Sequence, residues 1–223
     1  MINLFNPLVE LSAPPFPLDT LADLLAAPGY AHFPEIMPAS AVAELIGIIE
    51  EKEAADDLRL AGVGKGAALD RKPEIRSDSI FWLDDVDASP AVIHWLSAMR
   101  QIREHLRRSL FLPLESYEGH LARYPVGGFY KPHLDQHHAS PTRQITIIAY
   151  LNTRWQPGDG GELRLYTSPT EGIHGPYLDF APTAGTIIAF RSADFWHEVL
   201  PAHVPRLSLT GWLRGREVDP TMV

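Results

Sequence analysis

Arg206-Leu207-Ser208-Leu209-Thr210-Gly211-Trp212-Leu213 alternates a mainly polar set with leucines. On a β-strand successive side chains point to opposite faces, so Arg206, Ser208, Thr210 and Trp212 share one face and the leucines share the other. The leucine face suits a packing layer and the polar face suits a pocket. Residues 144–152 repeat this parity, with Thr146, Ile148, Tyr150 and Asn152 on one face. Residues 116–124, 162–166 and 186–190 read as further strands, divided by Gly, Pro and Asp turns. From Glu115 onward, many short strands with that punctuation imply a sandwich or barrel.

Before Glu115 the period is helical. Thr20 and Asp23 form a capping-box pattern ahead of Leu21, Leu24 and Leu25, and Pro28-Gly29 ends that helix. A second helix is expected from about Ser40, with Val42, Leu45, Ile46 and Ile49 on one face. The third has Ser89 as N-cap, Pro90 at its first position, and a core stripe of Val92, Trp95, Leu96, Met99, Ile102 and Leu106. Residues 61–73 hold Gly62, Gly64, Gly66, Lys65, Arg71 and Lys72, which reads as a mobile loop able to cover a site. The layout expected is one domain over 1–223. In it, 1–114 are mostly helical support with a mobile loop at about 61–74, and 115–216 are a β core.

The composition is globular, 45% hydrophobic and 21% charged. A net charge of −9 without clustered Lys and Arg argues against nucleic acid as a partner. The one basic cluster, Arg100, Arg103, Arg107 and Arg108, lies in the second half of the third helix, where it complements the dipole. With no cysteine, a metal must be held by His, carboxylate or carbonyl. No apolar run reaches the roughly 18 residues of a membrane span, and the first ten residues lack a leader pattern. A cytoplasmic protein with no membrane partner is the expectation.

His133 and Asp135 are two apart, so on an extended strand both reach the same ion. That dipeptide is common in proteins and is only half a chelate. His197, beside a later strand pattern, completes two imidazoles and a carboxylate, a facial triad that leaves coordination positions open. His137 and His138 read as exposed turn residues. Arg206 follows His197 by nine residues. If His197 ends one strand and Arg206 begins the next, the guanidinium lies deep in the barrel and its fork matches a carboxylate. A buried arginine needs an anionic partner, which a dicarboxylate co-substrate supplies.

In combination these residues resemble the prolyl 4-hydroxylase group of Fe(II)/2-oxoglutarate oxygenases, most of all the bacterial relatives of the prolyl hydroxylases that act on hypoxia-inducible factor. The resemblance runs from residue 75 to 212. Its pieces are Arg76-Ser77-Asp78-Ser79-Ile80-Phe81-Trp82, Tyr124-Pro125, Tyr130-Lys131-Pro132-His133-Leu134-Asp135, Tyr150-Leu151-Asn152, Gly160-Gly161-Glu162-Leu163, His197-Glu198-Val199 and Arg206. It implies a double-stranded β-helix (jelly-roll) core with the N-terminal helical layer on one sheet. Iron would be held by His133, Asp135 and His197. Arg206, with Tyr150 on a facing strand, would hold the far carboxylate of 2-oxoglutarate, and Tyr124 its near end. Thr146, Ile148 and Val199 would line the pocket, with Tyr130, Arg143 and Trp212 facing the substrate. Dioxygen is the second co-substrate and ascorbate a candidate reductant.

The substrate implied is a proline in a cytosolic protein, a translation elongation factor being the first candidate. A free amino acid or other small molecule is the alternative, and a metal-binding or sensing protein without turnover is a third reading. Zinc hydrolysis uses the same ligands but leaves Arg206 and Tyr150 unexplained. The chain departs from the eukaryotic oxygen sensors in having no cysteine and a shorter, different N-terminal region.

Overall fold

In the computed structural model, residues 16–62, 72, 74–83, 89–136 and 141–216 are described. Most of the loop expected at 61–73, and both His137 and His138, lie outside them.

The helices are α1 (Leu18–Ala26), α2 (Ala39–Ala54) and α3 (Pro90–Ser109). α3 begins as its sequence dictates, with Pro90 in the first turn and the Ser89 hydroxyl accepting from the Val92 amide. The capping box expected at Thr20 is not used, because α1 starts three residues earlier, with Pro17 as its N-cap and no side-chain cap. Proline at that position already supplies a restricted φ and needs no donor partner. None of these helices is long and apolar enough to cross a membrane.

Among the described residues, seven strands form the larger sheet. In chain order they are β1 (Tyr30–Phe33), β2 (Arg59–Leu60), β3 (Ser79–Trp82), β4 (Leu114–Tyr124), β6 (Arg143–Tyr150), β9 (Ile187–Arg191) and β11 (Arg206–Gly215). The smaller sheet holds β5 (Tyr130–His133), β7 (Leu163–Tyr166), β8 (Tyr177–Phe180) and β10 (His197–Val199). Their orders are β1-β9-β6-β11-β4-β3-β2 and β5-β10-β7-β8, and the pairings are antiparallel. This is the double-stranded β-helix arrangement. Three of the strands, β1, β2 and β3, lie in the part read as helical. They are two to four residues long, too short to show a period, and partner strands rather than local pattern decide their state.

Parity sorts the larger sheet as its sequence requires. Leu209, Leu213, Ile145, Ile147, Ala149 and Leu121 pack with Leu21, Leu45, Met99 and Ile102 of the helices in one core. The opposite face looks into the space between the sheets, where Ile148, Tyr150, Leu163, Leu165, Phe190 and Phe195 make a second core. On the helical side, the Trp95 indole donates to Tyr117 Oη at 2.8 Å. The phenol end of Tyr117 lies against Gly119 and Gly211, which pair in register. A methyl group on Gly211 would sit inside contact distance of the Tyr117 phenol.

Gly211→Ala is therefore expected to destabilise the fold by about 1–3 kcal/mol, the usual cost of overpacking. In urea melts, Gly211→Ala combined with Tyr117→Leu should recover most of that loss. If the single variant melts like the wild type, the packing account is wrong.

Candidate metal and co-substrate site

His133 ends β5 and His197 opens β10, and the two stand directly opposite each other in the β5–β10 pair. Opposed residues hold their Cβ atoms about 5 Å apart on one face, which brings the imidazoles together with ring centres at 4.2 Å. His197 thus begins its strand instead of ending one. Asp135 lies two residues past His133, on the same side. Its Oδ1 is 3.7 Å from His133 Nε2 and its Oδ2 is 3.4 Å from His197 Nε2. One ligand atom from each of the three falls within 4.8 Å of the others, the spacing a single ion needs.

Protonation favours such an ion. Burial pushes the Asp135 carboxyl up, but the His197 and His133 imidazoles and the Arg143 guanidinium outweigh that and hold it well below the usual carboxylate range. Burial, with His197 alongside, drives His133 toward the neutral imidazole. An ionised carboxylate beside a neutral imidazole is the form that binds metal. The other ring nitrogens face backbone carbonyls, His133 Nδ1 at Lys131 O (2.8 Å) and His197 Nδ1 at Phe195 O (3.1 Å). These contacts leave both Nε2 atoms for the ion and fix the rings. The His133 ring also stacks on Tyr130 at 3.6 Å, and the Arg76 guanidinium lies over Tyr130 at 4.4 Å. Arg76 is itself held by Asp78, which is 1% exposed.

Arg206 opens β11 in register with Tyr124. Its side chain is 2% exposed, donates to Gly161 O (2.8 Å) and Ser208 Oγ (3.2 Å), and lies near the rings of Tyr124 (4.9 Å) and Tyr150 (5.1 Å). No carboxylate of the described residues pairs with it. Tyr150 sits beside it on β6, the neighbouring strand of the same sheet, where Tyr150 is opposite Ser208. It is not on a facing strand. Its Oη is buried with no partner in hydrogen-bond geometry, and burial pushes the phenol up to about 12, so it stays a donor. A buried cation and a buried phenol, both lacking an anion, are what the far carboxylate of 2-oxoglutarate satisfies.

Gly161, with φ of 75°, permits this approach, because a Cβ there would lie 3.0 Å from Arg206 Cδ. Ile148 is buried in the inner core beside Tyr150, and Val199 packs on Tyr124.

Thr146, expected to line the pocket, makes hydrogen bonds beside the metal ligands. Its hydroxyl donates to Asp135 Oδ2 at 2.7 Å and meets Ser192 Oγ at 2.8 Å. Arg143 lies over the Trp212 ring at 3.5 Å and donates to Glu118 (2.8 Å), which also receives Arg214 (3.2 Å). Three residues escaped sequence reasoning: Ser192, Glu118 and His120. Ser208 was legible from its parity with Arg206. Glu118 and His120 lie on β4 and Ser192 just after β9, and none carries a local signal.

His120, on β4, is buried between Trp82 (5.1 Å) and Trp212 (5.4 Å), and its Nδ1 has no partner. Burial, then the Arg76 charge, lowers it to about 3. The unfolded chain then takes up a proton near pH 6.5 that the folded chain refuses until about pH 3. Stability is therefore lost as pH falls through that window, by about 1.4 kcal/mol per pH unit for one proton. In the metal-free protein, His120→Phe should flatten the stability-versus-pH slope between pH 6 and 4 by close to one proton. An unchanged slope counts against a buried neutral imidazole.

Comparison with known proteins agrees with this geometry. A family profile of the 2OG-Fe(II) oxygenase superfamily matches residues 119–214. Similar solved structures include a prolyl-4-hydroxylase from Pseudomonas putida, at 38% identity over 90% of this chain and 100% of that one, with a TM-score of 0.78. A prolyl hydroxylase from Trichoplax adhaerens, in complex with a hypoxia inducible factor peptide fragment, shares the fold at 21% identity, with a TM-score of 0.75 over 88% of each chain. A hypoxia-inducible factor prolyl hydroxylase of Caenorhabditis elegans is 32% identical over 149 residues, 62% of this chain. The match spans only about a fifth of that relative's length.

Proposed function

We propose, on the premise that this chain belongs to the 2OG-Fe(II) oxygenase superfamily, that it hydroxylates a proline within a peptide segment of a protein. The observation that carries the reading is the 38% identity across the full length of a prolyl-4-hydroxylase, joined to a site whose parts match the chemistry. A translation elongation factor is the first target to test.

His133, Asp135 and His197 hold the iron, and Arg206 with Tyr150 fixes the far carboxylate of 2-oxoglutarate. Tyr124, whose phenol burial pushes up and keeps protonated, donates near the co-substrate's other end. When bound, iron and 2-oxoglutarate would supply, with dioxygen as the oxidant, an oxidative decarboxylation to succinate and carbon dioxide in which one oxygen atom of dioxygen enters succinate and the other a C–H bond. The chain's own work is orientation and exclusion of water. Tyr130, stacked on His133, and Trp212, braced by Arg143, form the wall on which the proline ring rests.

The test is succinate release from 2-oxoglutarate with Fe(II) under oxygen, followed by mass spectrometry of candidate proteins for the gain of one oxygen atom on proline. Hydroxylation of free proline or another small molecule with no turnover of any peptide would overturn the peptide reading. Metal uptake with no succinate would point to a sensing role.

A further inference from the structure

Asp135 is the only anionic member of the triad, and its orientation is set from the opposite sheet. Thr146 on β6 and Ser192, the residue after β9, are both fully buried. The polarity of their contacts is fixed by chemistry. An ionised carboxylate only accepts, so the Thr146 hydroxyl donates to Asp135 Oδ2, and the Ser192 hydroxyl is left to donate to Thr146. The Ser192 backbone binds on both sides as well. Its amide donates to Gln144 O (3.0 Å), and its carbonyl accepts from the amide of Gln136 (3.2 Å), the neighbour of Asp135.

We infer that Ser192 and Thr146 form a two-hydroxyl relay that orients the Asp135 carboxylate and thereby sets the metal affinity of the site. This rests on the reading of His133, Asp135 and His197 as the metal site. The Thr146 hydrogen bond fixes the carboxylate plane and occupies a lone pair of Oδ2. Ser192 fixes the Thr146 rotor in turn, while its backbone joins the segment carrying Asp135 to the turn leading to His197. Both are positioning residues, since neither reaches the ion.

The test is titration of the metal-free protein with Mn(II), read by calorimetry, for the wild type, Thr146→Val, Thr146→Ser, Ser192→Ala and His197→Ala. Thr146→Val matches threonine in shape but cannot donate, and is expected to bind Mn(II) 10–100-fold more weakly, the usual loss for an outer partner of a metal ligand. Ser192→Ala should weaken binding by several-fold, and Thr146→Ser should restore it to within about threefold of wild type. A packing role alone would leave Thr146→Val, which keeps the shape, near wild type and make Thr146→Ser, which loses the methyl group, the weaker binder. If Thr146→Val does not fold, Ser192→Ala decides. The inference is overturned if Thr146→Val and Ser192→Ala both bind within twofold of wild type while His197→Ala loses binding. A wild type that takes up no Mn(II) overturns the metal reading, and the relay with it.

Discussion

Asp135→Asn is expected to lower Fe(II)-dependent succinate formation by more than about a hundredfold, beyond what loss of an outer-shell partner costs. The substitution keeps the shape and leaves an amide oxygen that can accept from Thr146, so the inner hydrogen bond survives. What disappears is the negative charge, which is the only one among the three candidate ligands. Two neutral imidazoles and an amide bind a divalent ion weakly at physiological concentrations. Asp135→Ala should do the same to activity and also leave the buried Thr146 hydroxyl without its acceptor, costing about 1–3 kcal/mol of apo-protein stability. The pair of variants thus separates ligand loss from structural damage. Asn should melt near wild type without metal, and Ala should melt lower. Retention of full turnover by either variant would remove Asp135 from the metal site.

Parity made much of this legible in advance. Alternation along 206–213 and 144–152 placed Arg206, Ser208, Thr146 and Tyr150 on the inner face, and there they are. Although Leu96, expected in the core stripe of α3, is 42% exposed, most of that stripe and the Ser89-Pro90 start were equally plain. Which strands are neighbours was not, because hydrogen-bonded order is a long-range property. Tyr150 was expected on a facing strand and lies on the strand paired with that of Arg206. The direct opposition of His133 and His197 depends on a register between segments sixty-four positions apart that no local pattern encodes. Ser192 and Glu118 were missed for the same reason. A hydroxyl in a turn and a carboxylate on a strand acquire meaning only when Thr146 or two arginines arrive from other strands.

The second large effect concerns Arg206. Replacing it with leucine should abolish the rise in melting temperature that 2-oxoglutarate gives the metal-loaded wild type under argon, while changing the melting of the ligand-free protein little. A ligand that binds only the folded state stabilises it by about 2.7 kcal/mol at a hundred times its dissociation constant, and without binding the shift vanishes. The weak effect on the free protein follows from opposing terms. Leucine forfeits the bonds to Gly161 and Ser208, at about 0.5–1.5 kcal/mol each, and the contacts with the Tyr124 and Tyr150 rings. Against that, it removes a charge buried to 2% exposure that has no carboxylate partner among the described residues, an arrangement that itself costs several kcal/mol. A site built to receive an anion is strained until the anion arrives, so removing the cation relieves the strain as it destroys the function. Arg206→Lys distinguishes charge from geometry. Its ammonium keeps the positive charge but lacks the planar fork, so the KM for 2-oxoglutarate should rise by about 10–100-fold, the loss of one charge-assisted hydrogen bond. If lysine serves as well as arginine, the bidentate carboxylate clamp is not what this residue provides.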